Sequence, residues 1–369
     1  IMSQSRLDQI SPILKKHGLD GLALIPGPSL YYLTGLSFHL MERPVVALFM
    51  SGERPHLILP EMERGKPESA GLDAVLHCYS EVEASRTQAF LQAASALPLD
   101  GAHLGVEPLR MRMYELRLLE AVGPRTTFTS AEKAIGELRA IKDADELQAM
   151  RQAVAVAQQS LSETLPLARV GISERELASE LVSQLLRAGS QPELPFSPIV
   201  ASGPNSALPH AVPTERRLQP GDLLLLDWGA TVEGYASDLT RTFAIQEIDP
   251  ELERVHQIVL QANAAAQAVV RPGVPCSDVD RAARQLIEQA GYGERFTHRT
   301  GHGLGLDAHE APYIHGDNPL LLAPGMTFTI EPGIYLEGRG GVRLEDDVVV
   351  TKRGCESLSD YPRDLQVIP

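Results

Sequence analysis

Short apolar runs alternate with helical patterns over the first third of the chain. Runs of this length between turn or polar residues are typical of buried strands. They are GLALIP (21–26), VVALFM (45–50), HLILP (56–60), VLHCYS (75–80) and HLGVEP (103–107). Helical patterns such as residues 110–122 lie between the runs. This alternation predicts an α/β domain over residues 1–130.

A second domain is expected over residues 131–369, because 369 residues exceed what one hydrophobic core usually spans. The connection over 126–142 is polar. Beyond it, apolar residues recur at steps of three or four, or multiples of these, which is the spacing of one helix face. They are Leu147, Met150, Val154, Leu161 and Leu165. A long amphipathic helix is therefore predicted to open the second domain.

The second domain contains an internal repeat. Two helical patterns of equal length, 171–189 and 273–291, both end at a glycine, and the first begins with a capping box at Ser173. Downstream, the strand pattern 218–227 aligns with 322–331, and each copy ends in a carboxylate six residues after a Pro-Gly glycine. Two fused copies of one α+β half are predicted, with the functional site on the pseudo-twofold axis between them.

Each half has a second carboxylate soon after the first. Asp238 lies eleven residues beyond Asp227, and Glu345 fourteen beyond Glu331. Turn residues between the members of each pair predict two antiparallel strands. An isolated acid is usually a solvated turn residue, but Asp227 and Glu331 end apolar runs that predict buried strands. Four converging buried carboxylates repel one another, and two divalent cations would neutralise them.

A nitrogen ligand is predicted at His302, within the glycine-rich stretch 301–305. The glycines let the backbone approach closely and leave the imidazole free to reach a metal. The stretch lacks the Gly-Lys-Ser/Thr of a phosphate-binding loop. The spacing from His309 to His315 is too long for a His-Glu-x-x-His zinc motif, and Pro312 would break the helix that motif requires.

Composition narrows the class of protein. The chain carries 48 acidic and 33 basic residues, a formal charge of −15, which disfavours nucleic acid as a partner. Three widely spaced cysteines, Cys78, Cys276 and Cys355, give neither a disulfide framework nor a thiolate metal site, so a reducing cytoplasm is expected. No run of about 18 apolar residues occurs, and no membrane segment is expected.

From about residue 135 to its end, the chain resembles the pita-bread metallopeptidases, which include methionine aminopeptidase, aminopeptidase P and prolidase. The motifs that carry the resemblance are LLLLDWG with Asp227, SDLTRTF with Asp238, GHGLGLDAHEAP with His302 and His309, TIEPGIY with Glu331, and VRLEDD with Glu345. Residues 1–130, with YYLTGL at 31–36, resemble the creatinase-like N-terminal domain of the proline-specific branch, which methionine aminopeptidases lack. Creatinase shares the fold without the metals, whereas all five ligand positions are filled here.

The resemblance implies two divalent metal ions and a role for each ligand. Asp238 and Glu345 would bridge the ions, Asp227 would chelate one, and His302 with Glu331 would complete the other. A hydroxide held between the two metals would be the nucleophile at neutral pH. Glu331 would also carry a proton from water to the departing proline nitrogen. Manganese is the expected metal, with cobalt, zinc and iron as alternatives.

Four further residues match family positions outside the ligand set. His210 and His309 would hold the substrate carbonyl and the developing oxyanion, and Tyr335 would contact substrate. Arg343 would pair with ligand carboxylates or support substrate, with a surface salt bridge as the alternative. The histidines interpreted as structural are His17, His56, His77, His103, His256 and His298. No role is assigned to His315.

The function implied is hydrolysis of the Xaa-Pro bond, most simply in dipeptides, as in a prolidase. One alternative is an aminopeptidase P that acts on longer Xaa-Pro peptides, and another is a non-catalytic binding module. A prolidase must hold a free carboxylate after proline, and Arg43 is the candidate partner, with an ordinary exposed arginine as the alternative reading. The N-terminal domain would select substrate size and contribute to a homodimer.

Overall fold

The computed structural model describes residues 6–369; residues 1–5, which the sequence assigns to the first domain, lie outside this range. The chain divides into two compact units, one ending at Arg139 and the other running from Ala140 to Pro369. The sequence analysis placed this division at 130. Residues 132–139 belong to the first unit, where Tyr32 Oη donates to the carbonyl of Leu138 at 2.8 Å. All helices in the described range are too short or too polar to cross a lipid bilayer.

The first unit is built on a six-stranded mixed sheet. Its strands are β1 (Gly21–Leu24), β2 (Val46–Met50), β3 (His56–Pro60), β4 (Val75–Tyr79), β5 (His103–Val106) and β6 (Thr127–Ser130), in the order β4-β3-β2-β1-β5-β6. Its helices are α1 (Ile10–His17), α2 (Pro28–Thr34), α3 (Gly65–Ser69), α4 (Glu83–Ala96), α5 (Met113–Val122) and α6 (Glu132–Ala140). All five predicted apolar runs contain a strand. The sequence missed β6 because most of its residues are exposed, so it lacks an apolar run.

The second unit contains two helix pairs, one mixed sheet and one antiparallel sheet. The helices are α7 (Ala144–Thr164), α8 (Glu174–Ala188), α9 (Pro250–Val269) and α10 (Cys276–Gln289). The first sheet has the order β19-β11-β8-β7, with β7 (Ile199–Ser202), β8 (Leu223–Trp228), β11 (Leu239–Ile245) and, pairing in parallel at its edge, β19 (Gln366–Ile368). The second has the order β13-β12-β14-β17-β18, with β12 (Gly301–Gly303), β13 (Glu310–Ile314), β14 (Thr327–Ile330), β17 (Asp346–Val350) and β18 (Cys355–Ser357). Two short hairpins complete the unit: β9 (Thr231–Val232) with β10 (Tyr235–Ala236), and β15 (Gly333–Leu336) with β16 (Gly340–Arg343).

The repeat seen in the sequence corresponds to two structural halves. The first half combines α7 and α8 with the sheet around β8, and the second combines α9 and α10 with the sheet around β14. The long helix predicted after the linker is α7. The capping box predicted at Ser173 is present: its hydroxyl accepts from the amide of Glu176 at 3.2 Å, and the Glu176 carboxylate accepts from the amide of Ser173 at 2.8 Å. Each half thus presents the end of an apolar central strand to the other.

Candidate active site

The carboxylates lie where paired strands begin or end. Asp227 is the fifth residue of β8 and faces Thr240 of β11, and Asp238 directly precedes β11. In the second half, Glu331 directly follows β14 and Glu345 directly precedes β17. Because β8 pairs antiparallel with β11, and β14 with β17, each pair of acids meets at one end of its sheet, as the turn residues predicted.

The two halves are joined at these strand ends. The amide of Glu345 donates to the carbonyl of Thr240 at 3.1 Å, and the Thr240 hydroxyl donates to Oε2 of Glu345 at 2.6 Å. The amide of Asp238 donates to Oδ2 of Asp347 at 3.0 Å. Hydrogen bonds between the halves therefore fix the distance between acids that are more than 100 residues apart in sequence.

Side chains at the helices hold the strand ends in place. Trp228, next to a site carboxylate, is fully buried and its Nε1 donates to the carbonyl of Ala157 in α7 at 2.8 Å. In the second half, Asn263 of α9 donates to the carbonyls of Ile330 and Leu344 at 2.9 and 3.2 Å. Each of those two residues immediately precedes a site glutamate. The first helix of each half thus sets the position of the strand that carries the acids.

Close backbone packing explains the glycines on both sides of His302. A Cβ on Gly301 would lie 1.8 Å from the carbonyl oxygen of Thr329, and one on Gly303 would lie 2.3 Å from that of Ala311. Any larger residue would push β12 away from its neighbours, which would displace the imidazole. The role that the sequence analysis gave to these glycines is confirmed.

The His302 ring presents a lone pair to the acids. Its Nδ1 lies 3.2 Å from the carbonyl oxygen of Gly303, which can only accept, so Nδ1 carries the proton. Nε2 then faces Glu331 Oε1 at 3.4 Å and Asp238 Oδ2 at 3.7 Å. Burial, together with the nearby His309, lowers the pKa of His302 well below its usual range. A neutral lone pair facing carboxylate oxygens is the arrangement of a metal-ligating histidine.

The candidate ligand atoms form overlapping groups of a size that could hold a metal ion. One atom each from His302, Glu331 and Glu345 lie within 4.8 Å of one another, as do atoms from Asp227, Asp238 and Glu345. The two groups share Glu345, which suits a residue that bridges two ions. A third group of the same size combines Asp238 and His302 with His309.

The electrostatics of the cluster favour a bound cation. Burial, followed by the charges of neighbouring acids, raises the pKa of Asp238 and of Glu345 well above the usual range. Burial also raises the pKa of Glu331, to about 7. In addition, the buried Oδ1 of Asp227 has no hydrogen-bond partner among residues 6–369. Acidic oxygens with one imidazole nitrogen are a donor set that divalent transition metals accept, so these residues fit a metal centre.

Arg343 lies inside the site. Its Nη2 is 2.6 Å from Oδ2 of Asp227, and its Nη1 donates to the Tyr335 hydroxyl at 2.8 Å. Because the Arg343 side chain is only 3% exposed, the surface salt bridge considered from the sequence is wrong, and pairing with a ligand carboxylate is the arrangement found. Burial raises the pKa of Tyr335 to about 12, which keeps its hydroxyl protonated at neutral pH.

His309 stands beside the ligand histidine. The rings of His302 and His309 have centroids 3.7 Å apart, and Arg299 Nη2 lies 3.0 Å from Nδ1 of His309. Since arginine only donates, Nδ1 accepts, and in the neutral ring Nε2 carries the proton. Burial, followed by the charge of Arg299, lowers the pKa of His309. His210, in the segment after β7, is exposed and lies near enough to His309 to affect its titration.

His298, which the sequence analysis grouped with the structural histidines, also lies at the site. Its Nε2 is 2.8 Å from the Tyr335 hydroxyl, and its Nδ1 is 4.0 Å from Oε2 of Glu331. Burial lowers its pKa to about 4. The available signal was its position four residues before His302, in the same approach to β12. That signal was missed because the contact with Tyr335 depends on the folding of the β15–β16 hairpin.

These features are those of a candidate metal-dependent hydrolase site: overlapping groups of possible ligands, a buried arginine on one of the acids and histidines nearby. Residues 148–352 match metallopeptidase family M24, and residues 6–141 match the creatinase/prolidase N-terminal domain. The chain belongs to metallopeptidase family M24. It is a peptidase with the pita-bread fold preceded by a creatinase-like domain, and family membership implies divalent metal ions and peptide substrates. The family and fold expected from the sequence are confirmed.

Three similar proteins cover almost the whole chain. A dipeptidase from Pyrococcus horikoshii OT3 is 38% identical, with a TM-score of 0.92 over 98% of this chain and 100% of that one. A recombinant prolidase from Thermococcus sibiricus is 34% identical, with a TM-score of 0.93 over 100% of both chains. A Mycobacterium tuberculosis protein named probable dipeptidase PepE is 35% identical over 95% of this chain and 93% of its own length.

Proposed function

We propose that this chain is an Xaa-Pro dipeptidase that uses two divalent metal ions. The observation that carries the proposal is the pair of ligand groups that share Glu345. Asp227 and Asp238 complete one group, and His302 with Glu331 completes the other. The names of similar proteins, a dipeptidase and a prolidase, support a dipeptide substrate and proline in its second position.

The bound ions would supply Lewis acidity and a hydrolytic nucleophile at neutral pH. Oε2 of Glu331 takes the proton of the attacking water and passes it to the proline nitrogen as that nitrogen departs. His298 stands beside this carboxylate, and its ring is held by the contact of Nδ1 with the carbonyl of Arg299 at 2.8 Å and of Nε2 with the Tyr335 hydroxyl at 2.8 Å.

The rim histidines act on the substrate carbonyl. With Arg299 on its Nδ1, His309 directs an Nε2–H donor toward the oxygen that becomes negative during attack. His210 approaches the same region from the first half of the unit. Arg343 fixes one oxygen of Asp227 and orients Tyr335, which contacts the substrate near the proline.

Arg43 is the proposed partner of the free carboxylate of the dipeptide. In the N-terminal unit, its Nη1 donates to Glu42 and its Nε to Glu81, both at 2.7 Å. Both glutamates are more than 70% exposed, so these pairs are weak and a substrate carboxylate can compete with them. A bidentate contact with the carboxylate would favour dipeptides over longer chains.

The deciding experiment compares three substrates after chelation and reloading with manganese. Proline release from an Xaa-Pro dipeptide is expected to be much faster than Xaa release from an Xaa-Pro-Yaa tripeptide or hydrolysis of an Xaa-Ala dipeptide. Preference for the tripeptide would identify an aminopeptidase P instead. Equal cleavage of Xaa-Pro and Xaa-Ala would refute proline specificity, and no cleavage with manganese, cobalt, zinc or iron would favour a non-catalytic binding module. The Glu345→Gln variant is the inactive control.

Manganese as the native metal, the homodimer and the cytoplasmic location stay predictions of the sequence. Metal analysis of protein purified without added metal tests the first prediction. Light scattering tests the second, and fractionation of the source cells tests the third.

A further inference from the structure

A buried carboxylate outside the metal cluster gathers an unusual number of donors. Glu174, the first residue of α8, is 0% exposed. Its Oε1 accepts from the amide and hydroxyl of Ser202 at 2.7 and 2.8 Å, and its Oε2 from the amide and hydroxyl of Thr214 at 3.0 and 2.6 Å. The Asn205 amide nitrogen lies 3.0 and 3.1 Å from the two oxygens. Three residues therefore converge on one side chain.

These contacts close a loop around a rim histidine. Ser202 ends β7 and Thr214 lies twelve residues later, so one carboxylate ties together both ends of the segment 202–214, which carries His210. The backbone adds a further tie, because the amide of Arg175 donates to the carbonyl of Thr214 at 3.0 Å. Both ends of the segment are consequently anchored to the start of α8, while in its middle the Ser206 hydroxyl accepts from the amide of Gly341 in β16 at 2.9 Å.

The rings of His210 and His309 differ in the side-chain contacts that fix their positions. His309 has Arg299 on its Nδ1 at 3.0 Å and stacks beside His302. For the ring of His210, no hydrogen bond is found within residues 6–369, and the residue is exposed. Its location depends on the backbone that carries it, and that backbone is closed by Glu174.

Glu174 is ionised in the folded protein. Burial by itself raises its pKa, but hydrogen bonds from Thr214 and Ser202 outweigh burial and lower the pKa below the usual value. Hydrogen bonds to a carboxylate are stronger than those to a neutral acceptor. The charge of Glu174 therefore strengthens the closure of the segment.

We infer that Glu174 is a positioning residue for His210: by closing the segment 202–214 it sets how His210 reaches the substrate carbonyl. This inference rests on the role proposed for His210 in Xaa-Pro hydrolysis. Displacement of a catalytic group by about 1 Å can cost about 100-fold in rate, so a residue that touches no substrate can control turnover in this way.

The test replaces one acceptor oxygen with a donor. In Glu174→Gln, an NH₂ group must face donors of Ser202 or Thr214, which opens one end of the segment. We expect kcat for an Xaa-Pro dipeptide to fall by about 10- to 100-fold, with a smaller change in KM and metal content unchanged. The matched control is Glu176→Gln, which weakens the capping box in the first turn of the same helix without touching Ser202 or Thr214. Its kcat should equal that of the wild type.

A double-mutant cycle separates positioning from a general structural role. If Glu174 acts through His210, Glu174→Gln causes no further loss of kcat in a His210→Ala background. An undiminished further loss in that background would overturn the inference. Thr214→Val provides a milder variant that should fold even if Glu174→Gln does not, because Thr214 is exposed and the amide of residue 214 still donates to the carboxylate. The variant loses the contacts of the hydroxyl with Glu174, Arg216 and Asn205. We expect it to shift kcat in the same direction by a smaller factor.

Two readouts do not depend on hydrolysis. Amide hydrogen exchange over residues 203–213, and the rate at which His210 reacts with diethyl pyrocarbonate, should both change in Glu174→Gln and Thr214→Val but not in Glu176→Gln. If neither changes, the inference fails even where Xaa-Pro hydrolysis stands. If both change while the wild type cleaves no Xaa-Pro substrate, the anchoring of His210 stands and the proposed function fails.

Discussion

Arg343 contacts only one of the two oxygens of Asp227. Its Nη2 lies 2.6 Å from Oδ2, while Oδ1 is buried without a hydrogen-bond partner among the described residues. The arginine thereby fixes the plane of the carboxylate and leaves the second oxygen for a metal. The Nη1 contact with the Tyr335 hydroxyl also fixes the position of that side chain in the β15–β16 hairpin. One guanidinium thus connects a metal ligand to the substrate side of the site.

Arg343→Lys should keep the positive charge but lose the simultaneous contacts with Asp227 and Tyr335. A lysine keeps the charge but cannot make both contacts in the fixed geometry of a guanidinium. Because partners of metal ligands typically contribute 10- to 100-fold in metal affinity or activity, kcat/KM for an Xaa-Pro dipeptide should fall by about that factor. Steady-state kinetics with metal titration measure the effect. Arg339→Lys, in the exposed turn of the same hairpin, is the control, and wild-type kinetics in Arg343→Lys would contradict the role assigned here.

Asp238→Asn should change stability in opposite directions with and without metal. Burial and the charges of Glu345 and Asp227 raise the pKa of Asp238, so its ionisation destabilises the metal-free protein. At pH 8 the metal-free variant should therefore melt at a higher temperature than the metal-free wild type. Added manganese should stabilise the wild type and leave the variant nearly unchanged. Thermal melts in chelator and in manganese measure both effects.

The exposed acid Asp278, paired with Arg281 on α10, supplies the control for that measurement. Asp278→Asn should respond to manganese as the wild type does. If metal-free Asp238→Asn is less stable than the metal-free wild type at pH 8, the charge repulsion inferred for the cluster is wrong.

Metal binding should release protons near neutral pH. Burial raises the pKa of Glu331 from 4.5 to about 7, so below pH 7 most metal-free molecules carry a proton on this ligand. The metal-free fold gains stability from this proton at low pH and loses that contribution as the pH rises from about 4.5 through 7. Metal must displace the proton, so affinity should fall as the pH falls below 7. Calorimetry at pH 6.5 in two buffers of different ionisation enthalpy measures the release, and identical apparent enthalpies would contradict it.

The clustering of the candidate ligands could be predicted because the repeat places these residues in the sequence. Asp227 and Glu331 follow apolar runs at the same distance from a Pro-Gly turn, and that pattern survives without knowledge of tertiary contacts. The glycines on both sides of His302 were also informative, because they too are a local pattern that can be seen without knowledge of tertiary contacts. Local sequence therefore records which residues end a buried strand, and two such ends in a repeat must meet near its axis.

Contacts between distant segments could not be predicted in this way. His298 meets Tyr335 across 37 residues, and its position four residues before His302 does not by itself reveal that contact. Likewise Lys142, in a connection that reads as polar, is buried against Glu310, 168 residues away, with Nζ 2.6 Å from Oε1. Charged residues give no hydrophobic pattern, so their burial becomes evident only when their partners are known.

The Lys142–Glu310 pair should behave as a buried ion pair. The two side chains are 1% and 9% exposed, so removal of the lysine leaves a buried carboxylate without its cationic partner. Lys142→Met should lower the free energy of unfolding by about 3–5 kcal/mol. Adding Glu310→Leu should recover much of this loss, because the remaining charge is removed. Urea unfolding of both single variants and the double variant measures the coupling, and additive losses would show that the pair is not coupled.

Arg43→Ala tests what sets the length of the substrate. If Arg43 binds the carboxylate that follows proline, its loss should reduce kcat/KM for an Xaa-Pro dipeptide much more than for an Xaa-Pro-Yaa tripeptide, which places that carboxylate elsewhere. Arg54→Ala, which removes another arginine paired with an acid in the same unit, should affect neither substrate. Equal losses of kcat/KM on both substrates would show that Arg43 has a structural role and does not select substrate length. A lysine at this position should retain part of the dipeptide preference, because a point charge still attracts the carboxylate without the second hydrogen bond.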